Sequence, residues 1–292
     1  MIKESEIIGY QGRKIYCRYT EPSDSPSALV ILIHGMQEYC ARYDWFANKL
    51  AAENIMFFAT DLRGHGKNMQ DGKPGLDDGD IYLNIVEDQK AIIKQLKLRF
   101  PHTPLILFGH SYGSFITQRF VRDGNDDISK IILCGSSYMN TPIVNAARII
   151  AFLSKLFKGR KSDANLIEKL SIRSYGNSFE NKNWLSRDEE IFNKYSNDDM
   201  CGQVFPVAFY ESMFKNLPKN YKNIKYGNDV LIISGTADPV GEFSKGVKKL
   251  EQTYLKQGVK ASLKLYDGAR HELLNETNRE EVFEDILKFI KG

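Results

Sequence analysis

The chain has 292 residues, 42% apolar and 26% charged, with a formal charge of +3. That composition is ordinary for a globular protein and gives no bulk electrostatic reason to expect a nucleic-acid partner. The length suits one α/β core carrying an insertion, and no window approaches the ~20 uninterrupted apolar residues that a membrane span needs.

Along the chain, Glu6–Tyr10 and Arg13–Tyr19 alternate around Gln11-Gly12 and predict a β-hairpin. After a Pro/Ser-rich break at Pro22–Ser27, Ala28–Ile33 is an apolar run of strand length that ends at His34-Gly35. A helix is expected over Tyr43–Glu53, a second buried strand over Ile55–Thr60, and a Gly- and Asp-rich loop over Asp61–Asp80. Ile81–Phe100 carries Ile85, Ile92, Leu96 and Phe100 at helical spacing. The strand beginning at Leu105 and the strand Lys130–Cys134 follow. Toward the end, Asp229–Ser234 and Ala261–Tyr266 read as strands around a helix, and Glu280–Ile290 as a closing helix.

Strands without polar alternation, separated by helices, predict an α/β fold with a mostly parallel sheet covered on both faces. From about Asn140 to Lys225 there are helical patterns and no convincing strand. Ile143–Phe157 and Val204–Leu217 are apolar over a wide arc that includes Phe205, Phe209, Tyr210, Met213 and Phe214. The expectation is a core domain over 1–139 and 226–292 and a helical cap over 140–225, lying over a pocket. Cys17, Cys40, Cys134 and Cys201 show no C-x-x-C spacing, and the charged start Met1–Glu6 has no apolar signal stretch. Reduced thiols and a cytoplasmic location are expected.

The most informative stretch is Leu105 to Ser114, in which an apolar strand runs into Gly109-His110-Ser111-Tyr112-Gly113 and then a helical segment. A Gly-x-Ser-x-Gly turn between strand and helix lifts its serine clear of the sheet edge, and the two glycines let strand and helix approach each other. A serine hydroxyl is a weak nucleophile and needs a base, usually an imidazole oriented by a carboxylate. Only five histidines are present. His34 lies in a turn where backbone donors matter more than the ring, and His65 in a glycine-rich loop too loose to hold a base. His102 lies at the far edge of the sheet, and His110 is turned away from its neighbour. His271 remains, past the last strand at the edge where open α/β sheets bind ligands. The acid is expected at Asp238, after the strand Val230–Ser234, which gives the chain order Ser111, Asp238, His271. Oxyanion donors are expected from the backbone N–H groups of Met36 and Tyr112.

With these residues placed, the sequence resembles the α/β-hydrolase superfamily. Within it the chain is similar to monoacylglycerol lipase and lysophospholipase-like serine hydrolases with a serine aminopeptidase S33-type domain. His34-Gly35-Met36-Gln37-Glu38-Tyr39-Cys40-Ala41-Arg42-Tyr43 resembles that family's H-G-x-x-E-H-x-x-R-Y segment, and Asp61-Leu62-Arg63-Gly64-His65-Gly66 its D-x-x-G-H-G loop. Gly235–Asp238 and Ala269–Glu272 resemble its acid and base loops. Tyr39, Asn68, Tyr112 and Ser114 depart from the family pattern at positions expected near the pocket mouth. The resemblance implies a serine carboxylic ester hydrolase working through an acyl-enzyme on a small-molecule acyl ester, with no cofactor or metal. A monomer or weak dimer is expected, with transient membrane-surface contact through the cap. Two alternatives stay open. A proline-releasing aminopeptidase would use cap carboxylates such as Glu180, Asp188, Glu189 or Glu190 to hold an ammonium. A hydrolase-fold receptor would bind without turnover. Cys201 could line the pocket or be oxidised, against an ordinary free thiol.

Overall fold

The computed structural model describes residues 1–21 and 25–292, so positions 22–24 of the expected break lie outside the described residues. Eight strands form one sheet: β1 (Ile2–Ile8), β2 (Lys14–Thr20), β3 (Ala28–Ile33), β4 (Ile55–Thr60), β5 (Leu105–His110), β6 (Lys130–Cys134), β7 (Asp229–Gly235) and β8 (Lys260–Tyr266). Their order across the sheet is β1-β2-β4-β3-β5-β6-β7-β8. The pairs β1–β2 and β2–β4 are antiparallel, and all others are parallel. The helices are α1 (Asp44–Ala52), α2 (Ile81–Arg99), α3 (Tyr112–Asp123), α4 (Pro142–Lys158), α5 (Asn165–Leu170), α6 (Ile172–Tyr175), α7 (Glu189–Ser196), α8 (Val207–Asn216), α9 (Lys245–Leu255) and α10 (Arg279–Lys291).

β3 and β5 are buried at every residue, which is why Ala28–Ile33 and Leu105–Phe108 read as unbroken apolar runs. On one face of the sheet Phe46 and Leu50 of α1 and Phe283 and Ile286 of α10 pack on Val30, Leu32 and Phe108. On the other, Ile85 and Ile92 of α2 and Ile116 and Phe120 of α3 join Leu29, Ile31 and Leu107 in one apolar cluster, which Leu250 extends where α9 lies against β7 and β8. The hairpin begins earlier than expected, with Ile2 paired to Thr20, and turns through a short 3-10 segment at Tyr10–Gly12. β1 is an edge strand with mostly exposed side chains, so hydrophobic alternation scarcely marks its start.

Between β6 and β7 the described chain forms α4 to α8 and no strand of the sheet. Thr141 caps α4 by accepting the Val144 N–H, Pro142 occupies its first turn, and Gly159, at φ 87°, ends it. α4 lies against α8, which is buried almost all round. No helix among the described residues is long and apolar enough to cross a membrane. Parallel strands bring the ends of β3, β5, β7 and β8 to one edge of the sheet, and that edge carries the candidate site.

Candidate active site

β5 stops at His110 and α3 starts at Tyr112, which leaves Ser111 alone in the turn. Its backbone sits at φ 50° and ψ −120°, a region that L side chains rarely adopt. The turn is held by the Ser111 N–H donating to the Cys134 carbonyl at 2.9 Å and by the Ser114 N–H donating to the Ser111 carbonyl at 2.8 Å. The flanking glycines supply space: a Cβ on Gly113 would strike the Ile33 carbonyl oxygen, and one on Gly109 would lie 2.5 Å from the Gly113 carbonyl.

Asp238 follows β7 and His271 follows β8, and both are buried. Nδ1 of His271 lies 3.0 Å from each carboxylate oxygen of Asp238, and the Val240 N–H donates to Asp238 Oδ1 at 2.9 Å. Burial pulls the His271 pKa down, but the Asp238 charge and hydrogen bond outweigh it, and the net direction is upward from 6.5. Gly135, at φ 58°, brings the chain against this ring; a Cβ there would lie 2.9 Å from His271 Cε1. Trp184 packs on the ring with centroids 5.0 Å apart. Nε2 of His271 has no hydrogen-bond partner among the described residues; this nitrogen and Ser111 are not bonded to each other, and both residues line one cavity.

Met36 and Tyr112 line the same cavity, and the N–H of neither meets an acceptor among the described residues. The Tyr112 N–H opens α3, where helix geometry leaves amides unpaired and the dipole favours negative charge. The turn carrying Met36 presses on the serine: a Cβ on Gly35 would be 3.1 Å from Ser111 Cβ. His34 bridges this turn and the next loop, with its Nδ1 2.7 Å from the Gly35 carbonyl and its Nε2 accepting the Leu62 N–H at 2.9 Å.

An ion network not read from the sequence lies beneath these loops. Arg42 donates to Glu38 at 2.6 Å and, in a two-pronged contact, to Glu272 at 2.8 and 2.7 Å. Glu38 also accepts the Gly35 N–H at 2.6 Å and the Tyr43 hydroxyl at 2.7 Å. Burial alone would raise the Glu272 pKa, yet Arg42 brings it down to about 2. The guanidinium therefore ties the Met36 turn to the residue after His271. Arg42→Met strands two buried carboxylates and should cost about 3–5 kcal/mol of stability, read by urea denaturation. An unchanged midpoint would show that the network is not holding these loops.

The remaining histidines have structural surroundings. His65 is not loosely held. Its buried ring packs on Phe205 at 4.8 Å and on His34 at 5.2 Å, Nδ1 lies 2.9 Å from the Arg63 carbonyl, and burial pushes its pKa down to about 3. Glycine gave the loop its turns, while aromatic packing from the helical insertion made it rigid. His110 packs on the His271 ring at 4.9 Å, and burial followed by the charge of His271 lowers it to about 4. His102 is exposed in the turn after α2.

Of the four departures from the family pattern, only Tyr112 lines the cavity. Asn68 is buried and accepts the Tyr16 N–H, Ser114 bonds to the Ser111 carbonyl and to Ser136, and the Tyr39 hydroxyl donates to Asp198. Their polar side chains are drawn to local backbone and neighbouring partners. Glu180, Glu189 and Glu190 are exposed, Asp188 caps α7, and none of them lines the cavity. All four cysteines are buried, free thiols, and Cys201 does not line this cavity.

The cavity has a volume of about 550 Å³. Ser111, Met36 and His271 line it together with an apolar set, Ile150 of α4, Ile167 and Leu170 of α5, and Met213 and Phe214 of α8. Phe205 and Phe209, from the same apolar arc, instead pack on His65 and Tyr112.

Known proteins resemble this chain in sequence and fold. The chain is 28% identical over 281 residues to a monoglyceride lipase homolog of Monkeypox virus, covering 95% of this chain and 92% of that one. It is 25% identical to the monoglyceride lipase of Mus musculus, over 92% of this chain and 84% of that one. Among solved structures, a thermostable carboxyl esterase from Bacillus coagulans, in complex with glycerol, superimposes with a TM-score of 0.87 at 25% identity, covering 100% of this chain and 98% of that one. The sequence profile described as serine aminopeptidase, S33, matches residues 24–278. With that match spanning most of its length, the chain belongs to the S33 serine aminopeptidase family and has the α/β-hydrolase fold.

Proposed function

We propose that the protein is a serine ester hydrolase of the monoacylglycerol lipase or lysophospholipase type, with residues 140–225 acting as a cap over the acyl site. Ser111 Oγ attacks the ester carbonyl while His271 Nε2 takes its proton. Asp238 holds the Nδ1–H tautomer and stabilises the imidazolium that forms. The Met36 and Tyr112 N–H groups hold the oxyanion. The alcohol leaves with the proton from His271, and water, deprotonated by the same ring, releases the acid and restores Ser111.

The observation that carries this reading is the largely apolar lining of the cavity that holds Ser111. An ammonium would find no cap carboxylate there, which argues against an aminopeptidase despite the family's description. The relatives named monoglyceride lipases agree with an acyl ester substrate. On the surface, α4 and α5 expose Phe152, Leu156, Phe157 and Leu166, Phe157 by 85%, and Lys155, Lys158, Arg160 and Lys161 lie nearby in sequence. Such exposed apolar residues with basic neighbours in sequence suit contact with a lipid surface from which the acyl chain is drawn.

The test is hydrolysis of p-nitrophenyl esters from acetate to palmitate. Each added methylene should contribute up to about 0.8 kcal/mol, close to fourfold in kcat/KM, until the cavity is full. A series that peaks at acetate and declines steadily would sink the long-chain reading.

A further inference from the structure

Gln37 stands one residue beyond Met36, in left-handed backbone at φ 60°. The core holds this turn through Glu38, as described above. The helical insertion holds it through Gln37 itself. Gln37 Nε2 donates to Glu168 Oε1 at 2.9 Å and to the Gln203 carbonyl at 2.7 Å, and the Gly202 N–H donates to the Gln37 carbonyl at 3.0 Å. Glu168 is buried on α5, and its Oε1 also accepts the Phe205 N–H at 2.9 Å and the Tyr210 hydroxyl at 3.0 Å. Its Oε2 lies 3.6 Å from Arg173 Nε. A buried carboxylate is costly unless its lone pairs are used, and here they gather α5, the segment before α8, α8 itself and the Met36 turn onto one group.

The same two helices line the acyl cavity. Ile167 and Leu170 flank Glu168 on α5, and Tyr210 and Met213 face it from α8. We propose that Gln37 is a positioning residue, and that its bond to Glu168 transmits the seating of α5 and α8 to the turn that presents the Met36 N–H. An acyl chain that fills the cavity buttresses both helices, steadies Glu168 and so fixes the oxyanion donor. Binding energy from the remote end of the substrate is thereby spent at the reacting carbonyl, and longer chains gain in kcat as well as in KM. The proposal rests on the reading of Met36 as an oxyanion donor.

The test compares kcat and KM separately on p-nitrophenyl butyrate and dodecanoate, with Ser111→Ala as background. Gln37→Gly removes the tether and keeps the backbone, because glycine takes φ 60° freely. Loss of a whole oxyanion donor costs 10²–10³, so a loosened one should lower kcat on dodecanoate roughly tenfold, with KM nearly unchanged. The loss on butyrate should be smaller, so the ratio of the two kcat values falls. Glu168→Ala should behave alike, and Glu168→Gln, which keeps an acceptor for all three donors, should restore the long-chain kcat. Should Glu168→Ala fail to fold, Gln37→Gly and Glu168→Gln decide the matter alone. The proposal is overturned by a wild-type kcat ratio in Gln37→Gly, whether both esters slow equally, only KM moves, or nothing changes. Absence of Ser111-dependent turnover in the wild type would instead overturn the hydrolase reading, and the tether's role with it.

Discussion

Ser111→Ala should lower kcat on an acyl ester by about a millionfold, and Ser111→Gly should do the same while making the protein more stable than the alanine variant. The first effect follows from chemistry. On the proposed mechanism, with no hydroxyl at 111 His271 has no proton to take and no acyl-enzyme forms; what survives is the weak assistance of oriented donors to attack by water. The second follows from the backbone. At φ 50° and ψ −120°, residue 111 occupies space that glycine enters freely and alanine does not. Relief of that strain should give the glycine variant about 1 kcal/mol over the alanine variant, or roughly 2 °C in Tm for a chain of this size. Thermal unfolding of the two variants measures the difference. Equal Tm values would mean that the turn stores no strain at this residue. Turnover retained by either variant would place the nucleophile elsewhere.

The turn that places Ser111 was legible in the sequence, because it rests on local pattern. An apolar strand, a glycine two positions on either side of the serine and a helix-forming segment leave the backbone few ways to turn. The parallel strands were legible for a related reason: β3, β4 and β5 are buried on both faces, so each is an apolar run without polar alternation until its last residue or two. Strand β1 was read short because its exposed side chains carry no burial signal. The pairing of Asp238 with His271, 33 residues apart, was foreshadowed by chain order, since each follows a strand ending at the same edge.

Contacts across larger separations were not legible. Arg42 and Glu272 stand 230 residues apart, and nothing in the periodicity of either segment announces a pair. Glu38, Arg42 and Glu272 could be singled out only as members of family-like motifs; their joint burial is a property of the assembled sheet edge. The same holds for His65, whose rigidity comes from Phe205 and Phe209, and for Gln37, whose partner Glu168 lies 131 residues away. The apolar arc of α8 predicted burial without saying against what. Tyr210, Met213 and Phe214 face the cavity, while Phe209 packs on Tyr112. A residue's place on a helix fixes its direction relative to the helix, and only the packed insertion decides what lies there.

Asp238→Asn should lower kcat by about 10⁴ while leaving the packing nearly intact, because asparagine has the same shape. The carboxylate accepts from His271 Nδ1 on both oxygens and from the Val240 N–H on Oδ1. In the asparagine variant Oδ1 can keep the Val240 bond, but the amide nitrogen then faces Nδ1 and donates to it. The ring moves its own proton to Nε2, the nitrogen that should accept from Ser111, and the base is lost through its tautomer. The pH profile separates this from simple distortion. In the wild type, burial pulls the His271 pKa down and Asp238 more than offsets it, so the folded value lies above 6.5. The base is competent only when neutral, and kcat/KM should therefore rise with pH through that value. Removing the carboxylate charge leaves burial as the main influence, and the residual activity should reach its plateau at lower pH than in the wild type. A variant that loses activity with its acid limb unmoved would mean that Asp238 shapes the loop without governing the imidazole. A variant with wild-type kcat would mean that another carboxylate orients His271, and Glu272, already held by Arg42, is poorly placed to be that group.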